Sequence, residues 1–233
     1  MALVQIENVS KFYQTGEVQV KALQDVNLSI DEASFVSFVG PSGSGKTTML
    51  NLIGCLDKPT EGRIFVDGEQ IDAFNRRQRA AFRGTTLGFI FQAFNLFPVL
   101  TTFENIEYPL VMIKNESSSK RKEMVLKVLE SVGMLDQKDK FPDQISGGQK
   151  QRIAVARALV TRPKLVLADE PTANLDKKAA LNVIRLMRSM RDEFKTTFIF
   201  STHDPGVMEE AEIIHTLEDG KLLDRKQNQE EKK

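Results

Sequence analysis

The residues Gly40 to Thr48 read GPSGSGKTT and fit the spacing G-x-x-x-x-G-K-[ST] at Gly40, Gly45, Lys46 and Thr47. That spacing serves phosphate. Glycines at Gly40, Gly43 and Gly45, interleaved with Ser42 and Ser44, let the backbone wrap phosphate oxygens closely. Lys46 is expected to reach the β- and γ-phosphates, Thr47 to ligate Mg²⁺, and Thr48 to close the phosphate-contacting stretch. A second constellation, LVLADE, ends in Asp169 and Glu170. An aspartate at the end of a buried strand can hold Mg²⁺, and the carboxylate after it can orient and deprotonate an attacking water. Three single residues are candidates with alternatives open. Gln92 ends TLGFIFQ and is either a contact to Mg²⁺ or water or an ordinary strand-end glutamine. His203 ends TTFIFST and is either a ligand-facing residue at the edge of a parallel sheet or a surface loop histidine. Tyr13, after the first strand, is either a stacking partner for adenine or a partly buried aromatic. A second glycine turn, ISGGQKQR from Ile145, opens a helix at Ser146, Gly147, Gly148 and Gln149 and offers another anion site.

These residues need a scaffold, and the pattern around them supplies one. LVQIENV and ALQDVNLSI alternate in strand fashion, while SFVSFVG, KLVLADE and TTFIFST are near-continuous apolar runs of strand length. Runs of the second kind suit a parallel sheet covered on both faces, so the predicted class is α/β. GRIFVDG, TLGFIFQ, EIIHTLED and KLLDR are further predicted strands, and KTTMLNLIGCL is a predicted helix. Two amphipathic helices are expected, one with the stripe Met124, Val125, Val128, Leu129 and Val132 ending near Gly133, the other with Ala180, Val183, Ile184, Met187 and Met190. Both stripes are read as core. With no repeat and no linker, residues 1–233 are expected to form one domain, with a helical insertion over about 93–145 and a polar, frayed tail over about 226–233.

Bulk properties exclude several classes. The 233 residues are long enough to bury about 70–75% of the unfolded surface. Hydrophobic residues make up 41% and charged residues 27%, as in soluble globular proteins. The formal net charge of +0 carries no nucleic-acid footprint, so no nucleic-acid partner is expected. Cys55 is the one cysteine, which rules out an intrachain disulfide and reads as a buried inert thiol. MALVQIENVS has no basic n-region or long apolar h-region, so no signal peptide is expected. The best apolar run, IEYPLVMI, is short and interrupted by Glu107 and Pro109, so direct membrane insertion is not expected. His215, in a late strand, is assigned no function.

Taken in order, KFY, GPSGSGKTT, FQ, ISGGQKQR, LVLADEPT, ANLD and STHD resemble the ATP-binding cassette family, the nucleotide-binding subunits of ABC transporters. The likeness covers nearly the whole chain, and ISGGQKQR is more diagnostic than the phosphate loop. GPSGSGKTTMLNLIGCLDKPTEG and LGFIFQAFNLFPVLTTFENI are similar to the lipoprotein-releasing and macrolide-export branch, with cell-division ATPases as relatives. The resemblance implies a phosphate-loop NTPase core with a mainly parallel sheet, an N-terminal antiparallel β subdomain and a helical insertion. It implies an ATPase using ATP and Mg²⁺. Glu170 would be the general base, with His203 contacting the γ-phosphate, Gln92 sensing it, Asp169 supporting Mg²⁺ and Tyr13 stacking on adenine. Ser146, Gly147, Gly148 and Gln149 would complete the site of a second copy of the chain, and Asp176 would reach across that interface. An integral-membrane permease subunit is the other implied partner, placing the chain peripherally on the cytoplasmic face of the membrane. Two departures stand out: Ala33 and Ser34 where relatives often carry Gly-Glu, and Lys150 in place of a common glutamine. Neither removes a site residue. A DNA-repair ATPase is disfavoured, because the stretch from Thr48 to Ile145 carries no heptads. A non-hydrolysing binding module is disfavoured by the intact Glu170 and His203.

Overall fold

A parallel strand covered on both faces needs apolar side chains on both, and three runs supply them. Phe35–Val39, Leu165–Ala168 and Thr197–Thr202 are buried at every position. In the computed structural model, which describes residues 2–16, 18–113 and 116–227, these runs form the middle of a six-stranded sheet. The elements in chain order are β1 (Ala2–Thr15), β2 (Val18–Asp31), β3 (Phe35–Val39), α1 (Lys46–Ile53), β4 (Glu61–Val66), β5 (Glu69–Gln70), α2 (Arg76–Thr86), β6 (Leu87–Ile90), α3 (Thr102–Ile113), α4 (Ser118–Ser131), α5 (Gly147–Leu159), β7 (Leu165–Ala168), α6 (Lys177–Phe194), β8 (Thr197–Thr202), α7 (Pro205–Met208), β9 (Ile213–Glu218) and β10 (Lys221–Gln227).

The six-stranded sheet has the order β10-β9-β3-β8-β7-β6. Its pairs β9–β3, β3–β8, β8–β7 and β7–β6 are parallel, and β10 joins the edge antiparallel. Because β3, β6, β7 and β8 point the same way, the segments that follow them emerge on one edge, where ligands of open α/β sheets bind. A four-stranded antiparallel sheet, β2-β1-β4-β5, is built by the N-terminal hairpin and the strands after α1. Its inner residues Val4, Ile6, Leu28 and Ile30 share a core with Phe38, Met49 and Ile53. The other core joins Phe35, Phe198 and Phe200 to the helices through Val125, Leu129, Ile153 and Val183.

Both predicted stripes face this second core. Val125, Val128, Leu129 and Val132 are buried, Met124 is partly so, and Gly133 follows in the left-handed region at φ 66°. All five positions of the α6 stripe are buried. The segment 102–144 carries α3, α4 and short 3₁₀ turns.

Three features differ from the sequence reading, and a fourth, the helix through Pro109, falls within the helical insertion expected there. Tyr13 does not follow the first strand: β1 runs on through it, and Tyr13 pairs with Val20. Four register shifts along this hairpin break the alternation that would have marked the longer strand. α2 was missed because only Phe82 and Thr86 are buried, too few to make a stripe; a capping box of Asn75 and Gln78 starts it instead. α3 passes through Pro109, which cannot donate to Asn105, because burial of Ile106 and Leu110 holds that turn in place. Lys226 and Gln227, placed in the tail from sequence, extend β10 against Ile214 and Ile213; residues 228–233 lie outside the described residues.

Candidate nucleotide site

Gly40 has φ 148°, and a Cβ there would come within 2.0 Å of the Leu217 carbonyl oxygen. At Gly45, φ is 105° and a Cβ would meet the Ala22 carbonyl oxygen at 2.5 Å. Only glycine lets the loop after β3 turn this tightly between β9 and β2. The loop, its residues Ser42 to Thr48, and Val20, Lys21, Ala22, Gln92, Glu170 and His203 line a cleft of about 670 Å³. It opens at the shared edge of β3, β6, β7 and β8.

Lys46 is buried, and its ammonium donates to the carbonyls of Gly40 and Pro41 at 2.8 Å each. Among the described residues no carboxylate pairs with it. A buried cation without an acid is costly unless an anion compensates it. Ser44 Oγ, in the same cleft, is buried without a hydrogen-bond partner among the described residues. Both observations fit a polyphosphate in the loop.

Across the cleft, Thr47 Oγ1 lies 3.1 and 3.0 Å from the two oxygens of Asp169, to which it donates. Asp169 also accepts from Ser201 Oγ at 2.7 Å. The same Ser201 oxygen accepts the backbone N–H of Glu170 at 2.9 Å. That contact supports a strained residue, since Glu170 sits at φ 46°, a region that side chains other than glycine rarely occupy. His203 Nδ1 lies 3.0 Å from Glu170 Oε1. A carboxylate acceptor here calls for the tautomer with its proton on Nδ1. A hydroxyl beside two acidic side chains, one joined to an imidazole, can position a divalent cation and a water-activating base.

Gln92 is exposed in the cleft wall two residues beyond β6, and its carbonyl accepts from Asn174 Nδ2 at 2.8 Å. Ser201 and Asn174 are the residues that sequence reasoning missed. Ser201 is the polar position next to last in an apolar strand, and Asn174 lies within the singled-out ANLD run, of which only Asp176 was given a role.

Ser146, Gly147, Gly148 and Gln149 are not in this cleft. They open α5 elsewhere, where Ser146 Oγ accepts the Gln149 N–H and Gln149 Oε1 accepts the Ser146 N–H. A Cβ on Gly147 would reach only ordinary contact with Leu175 at 3.4 Å, and one on Gly148 with Ala179 at 3.5 Å. Asp176 is exposed and caps α6 by accepting from Ala179 N–H at 2.9 Å. Tyr13 also stands outside the lining, although its strand partner Val20 belongs to it. Cys55 is buried, which pushes its thiol up to about 11 and keeps it inert.

A second cleft, about 460 Å³, runs between α2, β6 and α3. Phe89, Phe91, Phe97, Tyr108 and Ile113 line it, with Arg83 and Arg157. Its wall reaches Phe91, the residue before Gln92. Exposed Val111 and Met112 lie on α3 beside it. Among the described residues no helix is long and apolar enough to cross a membrane.

The ABC transporter family model matches residues 23–173. The chain belongs to the ABC transporter family. It is an ABC ATPase of the branch that includes lipoprotein-releasing and macrolide-export proteins. An uncharacterized ABC transporter ATP-binding protein of Methanocaldococcus jannaschii is 42% identical over 224 residues, covering 94% of this chain and 95% of that one. A solved structure of that archaeal cassette, dimeric and in a post-hydrolysis state bound to ADP and Pi, superposes with a TM-score of 0.87 at 41% identity, covering 96% of this chain and 98% of that one. The lipoprotein-releasing system ATP-binding protein LolD of Bordetella pertussis is 39% identical over 219 residues, 94% of each chain. The macrolide export ATP-binding/permease protein MacB of Syntrophobacter fumaroxidans is 40% identical over 221 residues, 94% of this chain and 31% of that one.

Proposed function

We propose that this ABC ATPase binds ATP in the cleft at the sheet edge, hydrolyses it within a pair of its own copies, and drives an integral-membrane permease subunit. The observation that carries this reading is Lys46, a buried ammonium that faces a glycine loop and, among the described residues, pairs with no acid. Ser42 to Thr48 would hold the phosphates. Thr47 and Asp169, with Gln92 at the rim, would hold Mg²⁺. Held by these residues, Mg²⁺ would supply positive charge that offsets the negative charge developing in phosphoryl transfer. Glu170 would take the proton of the attacking water, and His203 would keep the Glu170 carboxylate aimed. Tyr13 would receive the adenine.

Ser146 to Gln149 stand apart from the cleft of their own chain, which supports a role at the phosphate of a second copy. The N-terminus of α5 contributes about 0.3–1 kcal/mol per charge at such an exposed place. Asp176, exposed at the start of α6, would lie along the same interface. The apolar cleft bounded by α2 and α3 would seat a helix of the permease, and Phe91 in its wall, next in the chain to Gln92, would link that contact to the nucleotide. Such a chain would sit peripherally on the cytoplasmic face of the membrane. The likeness to LolD and MacB favours lipoprotein release or small-molecule export as the output, ahead of force transmission by a cell-division type of assembly. Residues 1–233 would act as one cassette domain.

Glu170→Gln tests the core of this reading. The variant should bind ATP normally, lose turnover, and elute as an ATP-dependent dimer in size-exclusion chromatography. A variant that hydrolyses ATP at the native rate, or remains monomeric at saturating ATP, rejects the assigned base and the paired site.

A further inference from the structure

Lys11, Tyr13 and Asp57 meet just outside the cleft, and none has a catalytic part in the reading above. Asp57 follows α1, and its backbone N–H is tied to the Asn51 carbonyl at 3.2 Å. Its carboxylate is fully engaged. Oδ1 accepts the Lys58 N–H at 2.7 Å and Lys11 Nζ at 2.9 Å, while Oδ2 accepts Tyr13 Oη at 2.9 Å. Lys11 Nζ also donates to the Lys58 carbonyl at 2.7 Å and stands 4.8 Å from the centroid of the Tyr13 ring. Burial of Asp57 works against its charge. Hydrogen bonds from Lys11, Lys58 and Tyr13, with the charge of Lys11, outweigh it and hold the carboxyl below its usual range. Burial and the hydrogen bond to Asp57 push the Tyr13 phenol up, against a smaller opposing contact with Thr48 of α1. The phenol therefore stays a donor at neutral pH.

Tyr13 is 37% exposed, and an exposed aromatic side chain ordinarily samples several rotamers. Here the hydroxyl is pinned to a carboxylate anchored beside the phosphate-loop helix, and an ammonium covers one ring face. With Lys11 on one side of a ring that is partly exposed, the opposite face is the one assigned to a base. We propose that Asp57 and Lys11 are positioning residues that hold the Tyr13 ring, before nucleotide arrives, as the platform for the purine. This rests on the reading in which Tyr13 receives adenine. The benefit is pre-organisation: the ring loses no freedom when ATP binds.

The test compares Mg²⁺-ATP with Mg²⁺-tripolyphosphate, which offers the phosphates without the base, by calorimetric titration. Tyr13→Ala should weaken ATP by about tenfold or more and leave tripolyphosphate unchanged. Tyr13→Phe and Asp57→Ala should each weaken ATP by about three- to tenfold, again without effect on tripolyphosphate. The double variant should be no weaker than Asp57→Ala alone, because the Tyr13 hydroxyl has by then already lost its partner. If Tyr13→Ala shifts the ratio of the two affinities while Tyr13→Phe and Asp57→Ala do not, the ring needs no anchor and the proposal is wrong. Equal loss of both ligands in Asp57→Ala would also overturn it, as a structural effect through α1. An unchanged ratio in Tyr13→Ala would instead remove the platform itself. Tyr13→Phe removes a single hydroxyl, so the comparison survives even if Asp57→Ala folds poorly.

Discussion

Replacing Ser201 by alanine removes one buried oxygen that serves two acidic residues at once. Ser201 is 0% exposed in β8; its hydroxyl donates to Asp169 at 2.7 Å and accepts from the Glu170 N–H at 2.9 Å. A hydrogen bond to a charged group contributes about 1.5–3 kcal/mol, and an unpaired buried donor costs about 1–3 kcal/mol. Both acidic residues are partly exposed, so water replaces part of each loss, and we expect a net destabilisation of about 2 kcal/mol. For a chain of this size that corresponds to a fall in Tm of about 4–8 °C. The larger effect should be on turnover. Glu170 is held at φ 46° with its backbone N–H anchored to the Ser201 hydroxyl, and relaxation toward an ordinary backbone angle would swing its carboxylate away. A lost positioning energy of about 1.4 kcal/mol is tenfold in rate, so kcat should fall at least about tenfold, with ATP affinity changed less than about threefold. Steady-state ATPase rates, nucleotide titration and thermal melts read the three quantities. Ser37→Ala is the matched control: Ser37 lies on the neighbouring strand β3, is equally buried, and its hydroxyl has no partner. The same chemical change there should leave stability unchanged or raise it by up to about 1 kcal/mol. A Ser201→Ala protein with native turnover and stability within about 0.5 kcal/mol would refute the assignment of Ser201 as the joint support.

Gly147→Leu should abolish turnover while monomer binding of ATP, read by fluorescence titration, stays within about twofold, because Gly147 is outside its own cleft; lost binding would put the turn in the site of its own chain. His215 is 2% exposed with neither ring nitrogen bonded, and burial, then the charge of Arg225, lowers its pKa from 6.5 to about 4. Between pH 6.5 and 4 the unfolded chain takes up this proton and the folded chain does not, so the residue removes up to about 3 kcal/mol of stability as pH falls through that window. His215→Leu should flatten that part of the urea-unfolding profile, and an identical pH slope in both proteins would exclude the mechanism. Ala33 sits at φ 54° in the turn before β3. Ala33→Gly should relieve about 1 kcal/mol of left-handed strain, visible as a raised denaturation midpoint; a lowered midpoint would show that chain entropy dominates.

The elements legible in sequence were those whose chemistry allows few substitutes. A loop that must wrap phosphate needs glycine at Gly40 and Gly45 and a cation at Lys46, so type and spacing coincide. β7 and β8 read clearly because both faces are covered. Tyr13 was misplaced relative to β1 because register shifts in the hairpin hide a strand that continues past Val9. α2 escaped because its outer face is arginine-rich and its inner face is little more than Phe82. The support of Glu170 escaped for a different reason. Serine and threonine are common near strand ends, and only the side-by-side register of β7 and β8 shows that Ser201 stands next to Asp169. Pairings of this kind join residues 32 positions apart, and no local pattern encodes them.

Ser146 has a consequence for how two copies could meet. A hydroxyl has two lone pairs and one proton, and capping α5 uses a lone pair, at 3.3 Å from the Gln149 N–H. The proton takes no part in that cap. An incoming acceptor can therefore take that proton without dismantling the helix start. The start of α5 is thus sprung in advance like the contacts of a socket: on the proposed pairing of copies it would take up a phosphate with both of its capping bonds kept.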